Sequence, residues 1–428
     1  MKLQRYDKYK ESGFDWLGEI PEEWKSYRIN WINTIIRGNT SLKKDELLDS
    51  GEYVALQYGK IYKIDEVKKT YKFYVNSEFY KSDQSVGYGN TIIVSTSETI
   101  EDLGHSCFYN RTDLGVIGGE QILLKPNNKF ICEKYLYYYS KVFCSELRKY
   151  ATGLKVFRFN IDDLKNIFIA LPPIEVQKQI ITYLNTKITK IDKKLSILEQ
   201  KKVKYKELKK TLIDEMVTKG LDKTVTMKDS NINWIGKIPK HWKIQRIGTA
   251  FQERSKKVND TDYPPLSVTK NGIVPQLKNV AKTIHNDNRK LVISGDYVIN
   301  SRSDRRGSSG IADLDGSVSV INIVLCPKEK FHGKYLHHLF RSYSFIEEFY
   351  RNGQGIIYDL WTTKYSLMRT INFAFPNIQE QIEIADYLDD KTAKIDSIIK
   401  TIDKSIDTFK KFKKTLINDT ITGKIKVI

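Results

Sequence analysis

The chain has 428 residues, too many for one ordinary hydrophobic core and enough for two to four domains, because single cores stop growing near ~250–300 residues. A composition of 40% hydrophobic and 12% aromatic residues excludes the aromatic-poor make-up of a disordered chain. Lys and Arg outnumber Asp and Glu by 71 to 52, and the resulting +19 attracts a polyanion or an anionic surface. The first 30 residues hold no apolar run, and nowhere do 18 apolar residues follow one another, so the expectation is a cytoplasmic protein with no membrane partner. Cys107, Cys132, Cys144 and Cys326 lack CxxC spacing, which suits buried thiols better than disulfides or zinc.

Taken in order, the chain reads as a duplication. The block Lys10 to Ile29 returns as Lys228 to Ile247, a shift of 218 that keeps Trp16/Trp234, Gly18/Gly236, Ile20/Ile238, Pro21/Pro239 and Trp24/Trp242; ten of its twenty positions are identical. After each block comes an interval, roughly 25–171 and 243–375, that does not resemble its counterpart. Both intervals predict mixed α/β structure, with short β-branched runs such as Thr91-Ile92-Ile93-Val94 and Tyr297-Val298-Ile299 bounded by turn residues. Each then passes into an amphipathic stretch, Lys134 to Tyr150 and Gly333 to Tyr350, that reads as a helix.

The second repeated block starts at Leu171-Pro172-Pro173-Ile174 and returns at Phe375-Pro376-Asn377-Ile378, a shift of 204. It predicts a long helix each time, with Pro at the start and Gly220 or Gly423 just past the end. At ~1.5 Å per residue, forty residues make a rod of roughly 60 Å. Steps of four and three pick out Leu184, Ile188, Ile191, Leu195, Leu198, Lys202, Tyr205, Lys209 and Leu212 in the first helix. The same offsets in the second pick out Leu388, Thr392, Ile395, Ile399, Ile402, Ile406, Phe409, Lys413 and Leu416. A 3.5-residue apolar repeat sustained this far is a coiled-coil seam, and pairing the two helices antiparallel is the simplest way to bury both stripes. The seam lysines favour specificity of pairing over strength. The domains expected are 1–171 and 222–375, each a recognition module with its repeat block, separated by the helices 172–221 and 376–428. The fold class is α+β with a pseudo-twofold internal repeat.

The chain shows no chemistry of its own. It has no GxxxxGK[ST] phosphate loop, no glycine turn for S-adenosylmethionine and no HExxH pair, and His332, His337 and His338 read as surface or capping residues. No catalytic residue, metal ligand or cofactor is expected. DNA, in contrast, is held by Lys and Arg on phosphates and read by polar side chains on base edges. In the second interval Ser301, Arg302, Ser303, Arg305 and Arg306 follow a strand and place three arginines on one loop. The first has Ser95, Thr96 and Ser97 at the equivalent place, followed by acidic Glu98, Glu101 and Asp102. Earlier in each interval stand Gln57, Tyr58 and Lys60, and Thr269 and Lys270; Lys155, Arg158 and Tyr358 lie in later Gly-containing loops. These residues are the candidate DNA contacts. The residues alone leave open a coiled-coil adaptor that binds proteins without reading DNA.

The blocks Trp16 to Trp24 and Trp234 to Trp242, the helix entries LPPIEVQKQI from Leu171 and FPNIQEQIEI from Phe375, and the exits Thr218-Lys219-Gly220-Leu221 and Thr422-Gly423-Lys424-Ile425 together resemble the specificity subunits of type I restriction-modification enzymes. The resemblance covers essentially the whole chain, and it departs at Asn377, where the first helix has Pro173. It implies two target recognition domains spaced by an antiparallel coiled coil, a split double-stranded DNA target, and two methyltransferase subunits bound to the repeated regions. Restriction and translocase subunits would join through the complex, with S-adenosylmethionine, ATP and Mg²⁺ carried by those partners. Offsets of 218 and 204 make the first interval the longer one, so unequal readers on an equal frame predict an asymmetric target.

Overall fold

The computed structural model describes residues 4–276, 287–355 and 361–427, and the chain divides into two compact units, Met1–Ile197 with Ser405–Ile428, and Leu198–Lys404. Among the described residues five helices reach eight residues or more: α1 (Glu133–Leu147), α2 (Ile174–Lys219), α3 (Gly333–Phe340), α4 (Tyr343–Arg351) and α5 (Ile378–Ile421). Both units contain half of α2 and half of α5.

In the first unit, apolar runs buried on both faces become central strands. Thr91–Val94 lies between Gln121–Pro126 and Ser106–Tyr109, and the sheet continues to Asn33–Arg37 on one side and Glu66–Val67 on the other. Ile36, Leu123 and Ile92 stand in one cross-strand row. A second sheet, ordered Tyr74–Val75, Tyr53–Leu56, Gly115–Ile117, Ser85–Val86, packs through Val54, Leu56, Ile117 and Val86 onto Ile92 and Val94. The other face of the first sheet packs on α1, whose Tyr135, Leu136 and Tyr139 are buried with Trp24, Leu184 and Ile421 in the unit's main core.

The second unit places its strands in the same order, Phe251–Glu253, Asn322–Pro327, Tyr297–Asn300, Ser309–Ile311. A three-stranded sheet, Lys257–Val258, Arg289–Val292 and Gly316–Ser319, and the hairpin Leu266–Thr269/Gly272–Pro275 lie beside it. The single helix expected from Gly333 to Tyr350 is two. Ser342 interrupts it because its Oγ accepts the Phe345 N–H at 3.3 Å and caps a new helix.

Each repeat block closes on the end of a long helix. Trp24 and Pro21 pack at Gly423 in the first unit, and Trp242 and Pro239 at Gly220 in the second. Both glycines sit at φ near +75°, where a helix turns left-handed to stop, and a Cβ on Gly423 would meet Pro21 at 2.5 Å. The start of α5 is capped by the residue that departs from the family pattern: Asn377 Oδ1 accepts the Glu380 N–H at 3.1 Å.

The two long helices pack on each other. Leu184, Ile188 and Ile191 of α2 are buried, and Leu195, Leu198 and Leu212 half-buried; on α5 Leu388, Ile395, Ile402, Ile406 and Leu416 are buried, and Ile399 and Phe409 half-buried. The seam lysines each reach an aspartate of the other helix. In the first unit Lys413 Nζ lies 2.8 Å from Asp192. In the second, Lys209 lies 2.6 Å from Asp396, and Lys202 pairs with Asp403. A shift of 204 converts Asp192 into Asp396 and Lys209 into Lys413, so one contact is the image of the other.

Candidate nucleic-acid interface

The frame fixes each module through the helix starts. Gln177, in the LPPIEVQKQI entry, accepts the Cys132 N–H at 2.9 Å and donates to the Phe130 and Pro172 carbonyls. Gln381 does the same, accepting from His332 N at 3.0 Å and donating to the Pro376 carbonyl. Tyr135 and Tyr335 are buried with their hydroxyls on the Ile421 and Val217 carbonyls, again matched positions. One turn further the chemistry diverges: Tyr138 donates to Asn185 at 2.6 Å, whereas His338 meets Asp389 at 2.8 Å and Lys334 meets the same carboxylate at 2.9 Å. The expectation of surface histidines is corrected here. His338 is buried and His337 largely so, because α3 packs them toward the long helices. Burial, with the Arg341 guanidinium 2.7 Å from the His337 ring nitrogen, lowers the His337 pKa to about 4.

In the second unit, the strand Tyr297–Asn300 runs into the arginine loop. Buried polar residues hold its base: Asn300 Oδ1 accepts the Arg302 N–H, Tyr350 donates to the Asn300 carbonyl at 2.9 Å, and Ser301 donates to the Ile321 carbonyl. The chain after α4 clamps it, with Arg302 bridged to Thr362 and Ser303 N–H donating to the Trp361 carbonyl. Arg305 emerges with its side chain 67% exposed and a loose 3.7 Å contact to Asp304, while Arg302, 42% exposed, pairs closely with that carboxylate. Arg306 is turned back, 2.7 Å from Glu347 and stacked on Tyr350. Ser301 is therefore corrected from a reader to a positioning residue, since its hydroxyl is buried and spent on the loop itself. Thr269 closes the hairpin tip through Gly272, and Lys270 stands exposed beside it. Tyr358 lies outside the described residues.

The first unit builds the equivalent place from other side chains. Thr96–Ser97 pairs antiparallel with Phe157–Arg158, Thr96 opposite Arg158, as Arg302 is bridged to Thr362 in the second. Ser95, Thr96 and Ser97 are all buried, contrary to expectation. Ser95 donates to the Glu120 carbonyl, Thr96 to the Glu120 carboxylate, and Ser97 Oγ lies 3.1 Å from the Tyr62 hydroxyl. A hydroxyl already satisfied inside the protein has little left for a base edge. These three hold the strand; Arg158 and Lys155 beside it are exposed. The Tyr58 ring packs tilted against Tyr62, centroids 5.4 Å apart, joining the helical turn Tyr58–Ile61 to this edge. Burial, then Tyr62 and the carboxylates Glu98, Glu120 and Asp102, push the Tyr58 phenol up, so it stays a neutral donor at working pH. Gln57 is half-buried at the head of that turn, and Lys60 is drawn over the Phe73 ring at 4.3 Å. Sequence reasoning missed Tyr62 and Glu120, which organise the edge from outside the loops it singled out.

Known proteins similar to this chain bear on what these edges serve. A family model described as the type I restriction modification DNA specificity domain matches residues 21–204. The putative type I restriction enzyme MjaX specificity subunit of Methanocaldococcus jannaschii is 26% identical over 98% of both chains, and the MjaVIII specificity subunit of the same organism 25% identical over 98% of this chain and 97% of its own. Over nearly its whole length the chain is thus similar to type I restriction-modification specificity subunits, and residues 21–204 match their DNA specificity domain. Solved structures share the fold of this chain. A chain from work on complex assembly and conformational transition of the type I R-M system superposes with a TM-score of 0.68 at 14% identity, covering 94% of this chain and 98% of that one. The HsdS subunit from Thermoanaerobacter tengcongensis gives 0.50, also at 14% identity, over 95% and 98%. Among the described residues of the chain no helix is long and apolar enough to cross a membrane, and no group of three His, Cys, Asp or Glu is placed to hold a metal ion.

Proposed function

We propose that this chain is a specificity subunit that reads a split, asymmetric double-stranded DNA target, one half with each module, and directs partner methyltransferase and restriction subunits to it without catalysing a reaction itself. The observation that carries the reading is a frame whose key contacts repeat, around edges that do not. Gln177 and Gln381, and the pairs Asp192–Lys413 and Asp396–Lys209, are equivalent. At the edges they hold, one unit presents Tyr58 and Arg158 among carboxylates and the other Arg302 and Arg305. Arginine pairs bidentately with guanine and carboxylates accept from cytosine, so the two edges suit different bases.

On this reading residues 1–171 and 222–375 are the target recognition domains with their repeat blocks. The stretches 172–221 and 376–428 are the conserved helices, paired as an antiparallel coiled coil under an internal pseudo-twofold. Two methyltransferase subunits occupy the repeated regions. S-adenosylmethionine, ATP and Mg²⁺ belong to the partners, and the complex works in the cytoplasm. The relatives are named as specificity subunits over nearly their whole length, which supports DNA recognition over a purely protein-binding adaptor.

The test is an exchange. Replacing residues 25–171 with the first module of another family member, followed by methylation mapping in the host genome, is expected to change one half of the target and leave the other half intact. A change in both halves, or in neither, would overturn the reading.

A further inference from the structure

At the reading edge of the first unit, residues 152–158 form a closed hairpin tip. Thr152 and Arg158 exchange two backbone hydrogen bonds, 2.8 and 2.9 Å, and Arg158 is also paired with Thr96 of the adjacent strand. Phe157 and Ala151 anchor the base of the tip on the main core. Gly153 makes the turn possible: at φ +117°, a Cβ there would fall 2.0 Å from the Val156 carbonyl oxygen. The result is a loop whose geometry is set by its backbone. At its apex Leu154 is 100% exposed and Val156 is 38% exposed, with Lys155 exposed between them.

A single exposed leucine on a protein surface ordinarily needs no explanation. This one stands at the apex of a braced tip, next to Lys155, with Arg158 at the base of the same tip. An apolar apex with positive charge beside it and below it is the chemistry of a wedge that enters a base step while the cations hold the neighbouring phosphates.

We propose that Leu154 is such a wedge, inserted between two base pairs of the target half read by the first module, with Lys155 and Arg158 on the flanking backbone. The proposal rests on the function given above and adds a residue that reads DNA through the deformability of one step rather than through hydrogen bonds. It requires one unstacked step in that half that depends on Leu154, over and above any base that the methyltransferase subunits extrude from either half.

The experiment uses the full chain assembled with its methyltransferase partner and duplexes carrying the mapped target, with 2-aminopurine placed at successive positions. The intact complex is expected to raise fluorescence at one step of the first half, and Leu154→Ala to abolish that rise. The same substitution should lower affinity for the target about tenfold, leaving non-specific affinity and the salt slope unchanged. Lys155→Ala should instead weaken target and non-specific DNA alike and reduce the salt slope by about one. Specific binding by the intact complex in which Leu154→Ala removes no unstacked step overturns the wedge but not the function. Loss of the methyltransferase partner from Leu154→Ala would make the tip a protein contact and also overturns it. An intact complex that binds no duplex specifically overturns the function itself.

Discussion

The same joint between module and long helix is made in two chemistries. In the first unit it is neutral, Tyr138 on Asn185; in the second it titrates, with His338 and Lys334 sharing Asp389 and His337 held beside Arg341. The backbone frame is alike on both sides: matched glutamines, matched tyrosines, matched tryptophans at matched glycines. What tolerates change is thus the side chain one turn beyond the conserved glutamine contact, and the reading edge beyond that.

The comparison breaks most visibly at the tryptophans. Trp24→Ala and Trp242→Ala are each expected to cost about 3–5 kcal/mol in the unit that carries them, read by denaturant unfolding or hydrogen exchange of that unit. Trp242 also donates to Glu380 at 3.0 Å, so its loss should be the larger. A negligible loss at either would show that the repeat block does not close the helix end.

Acid should separate the units next. His337 has an ordinary pKa near 6.5 unfolded and about 4 folded, so the unfolded chain binds the extra proton in between and stability falls as pH drops from 6.5 toward 4. The loss is on the order of 3 kcal/mol when complete. His338, its pKa lowered by burial although Asp389 opposes the shift, acts in the same direction. The first unit has one buried imidazole, His105, which burial and Lys141 lower in the same direction, but it stands at the Ile64 carbonyl rather than at the joint. Burial raises the pKa of Asp65, but Lys141 and Lys413 outweigh it and hold the carboxyl well below the usual carboxylate range. Its contribution is lost only as pH falls below about 4. Hydrogen exchange corrected for intrinsic rates should show α3 losing protection before α1, and His337→Tyr, which copies Tyr137, should narrow the gap. Equal loss in both units above pH 4 would contradict the assignment.

The helix pairs give a smaller contrast. Lys413 answers both Asp65 and Asp192, and those carboxylates hold its ammonium charged against the cost of burial, whereas Lys209 faces Asp396 alone at a more open site. Lys413→Met should cost about 2 kcal/mol, because it strands Asp192 and leaves Asp65 to Lys141 alone, and Lys209→Met under about 1 kcal/mol, both by thermal or denaturant unfolding. Smallest is Arg305→Ala. It should leave stability unchanged, weaken DNA binding by about 1 kcal/mol and lower the salt slope by about one, where Arg306→Ala also loosens the Glu347 and Tyr350 contacts.

Much of the frame was legible in the sequence because it obeys periodicities that survive without tertiary knowledge. A 3.5-residue stripe placed Leu184 through Leu416 on one face, and Pro and Gly marked the helix ends. The reading edges were legible only by position. Strand, turn and arginine pattern located the loops, but a serine in a loop looks the same whether it faces solvent, as a reader must, or donates inward, as Ser95 and Ser301 do. That distinction depends on Glu120 and Ile321, which lie some twenty residues away and carry no local signal. The histidines misled for a related reason: a His pair on a polar helix face looks exposed until another helix covers it.

The ion pairs between the long helices have a direction built into them. Aspartates at 192 and 396 stand nearer the start of each helix, and the lysines at 209 and 413 nearer its end. Slide the two helices alongside each other head to head instead, keeping the 204-residue register, and Asp192 would face Asp396 while Lys209 faced Lys413. Every attraction would become a repulsion. Apolar stripes alone are nearly indifferent to polarity, so four charges let a repeated sequence, whose halves could otherwise align with themselves, accept only one orientation of its own copy.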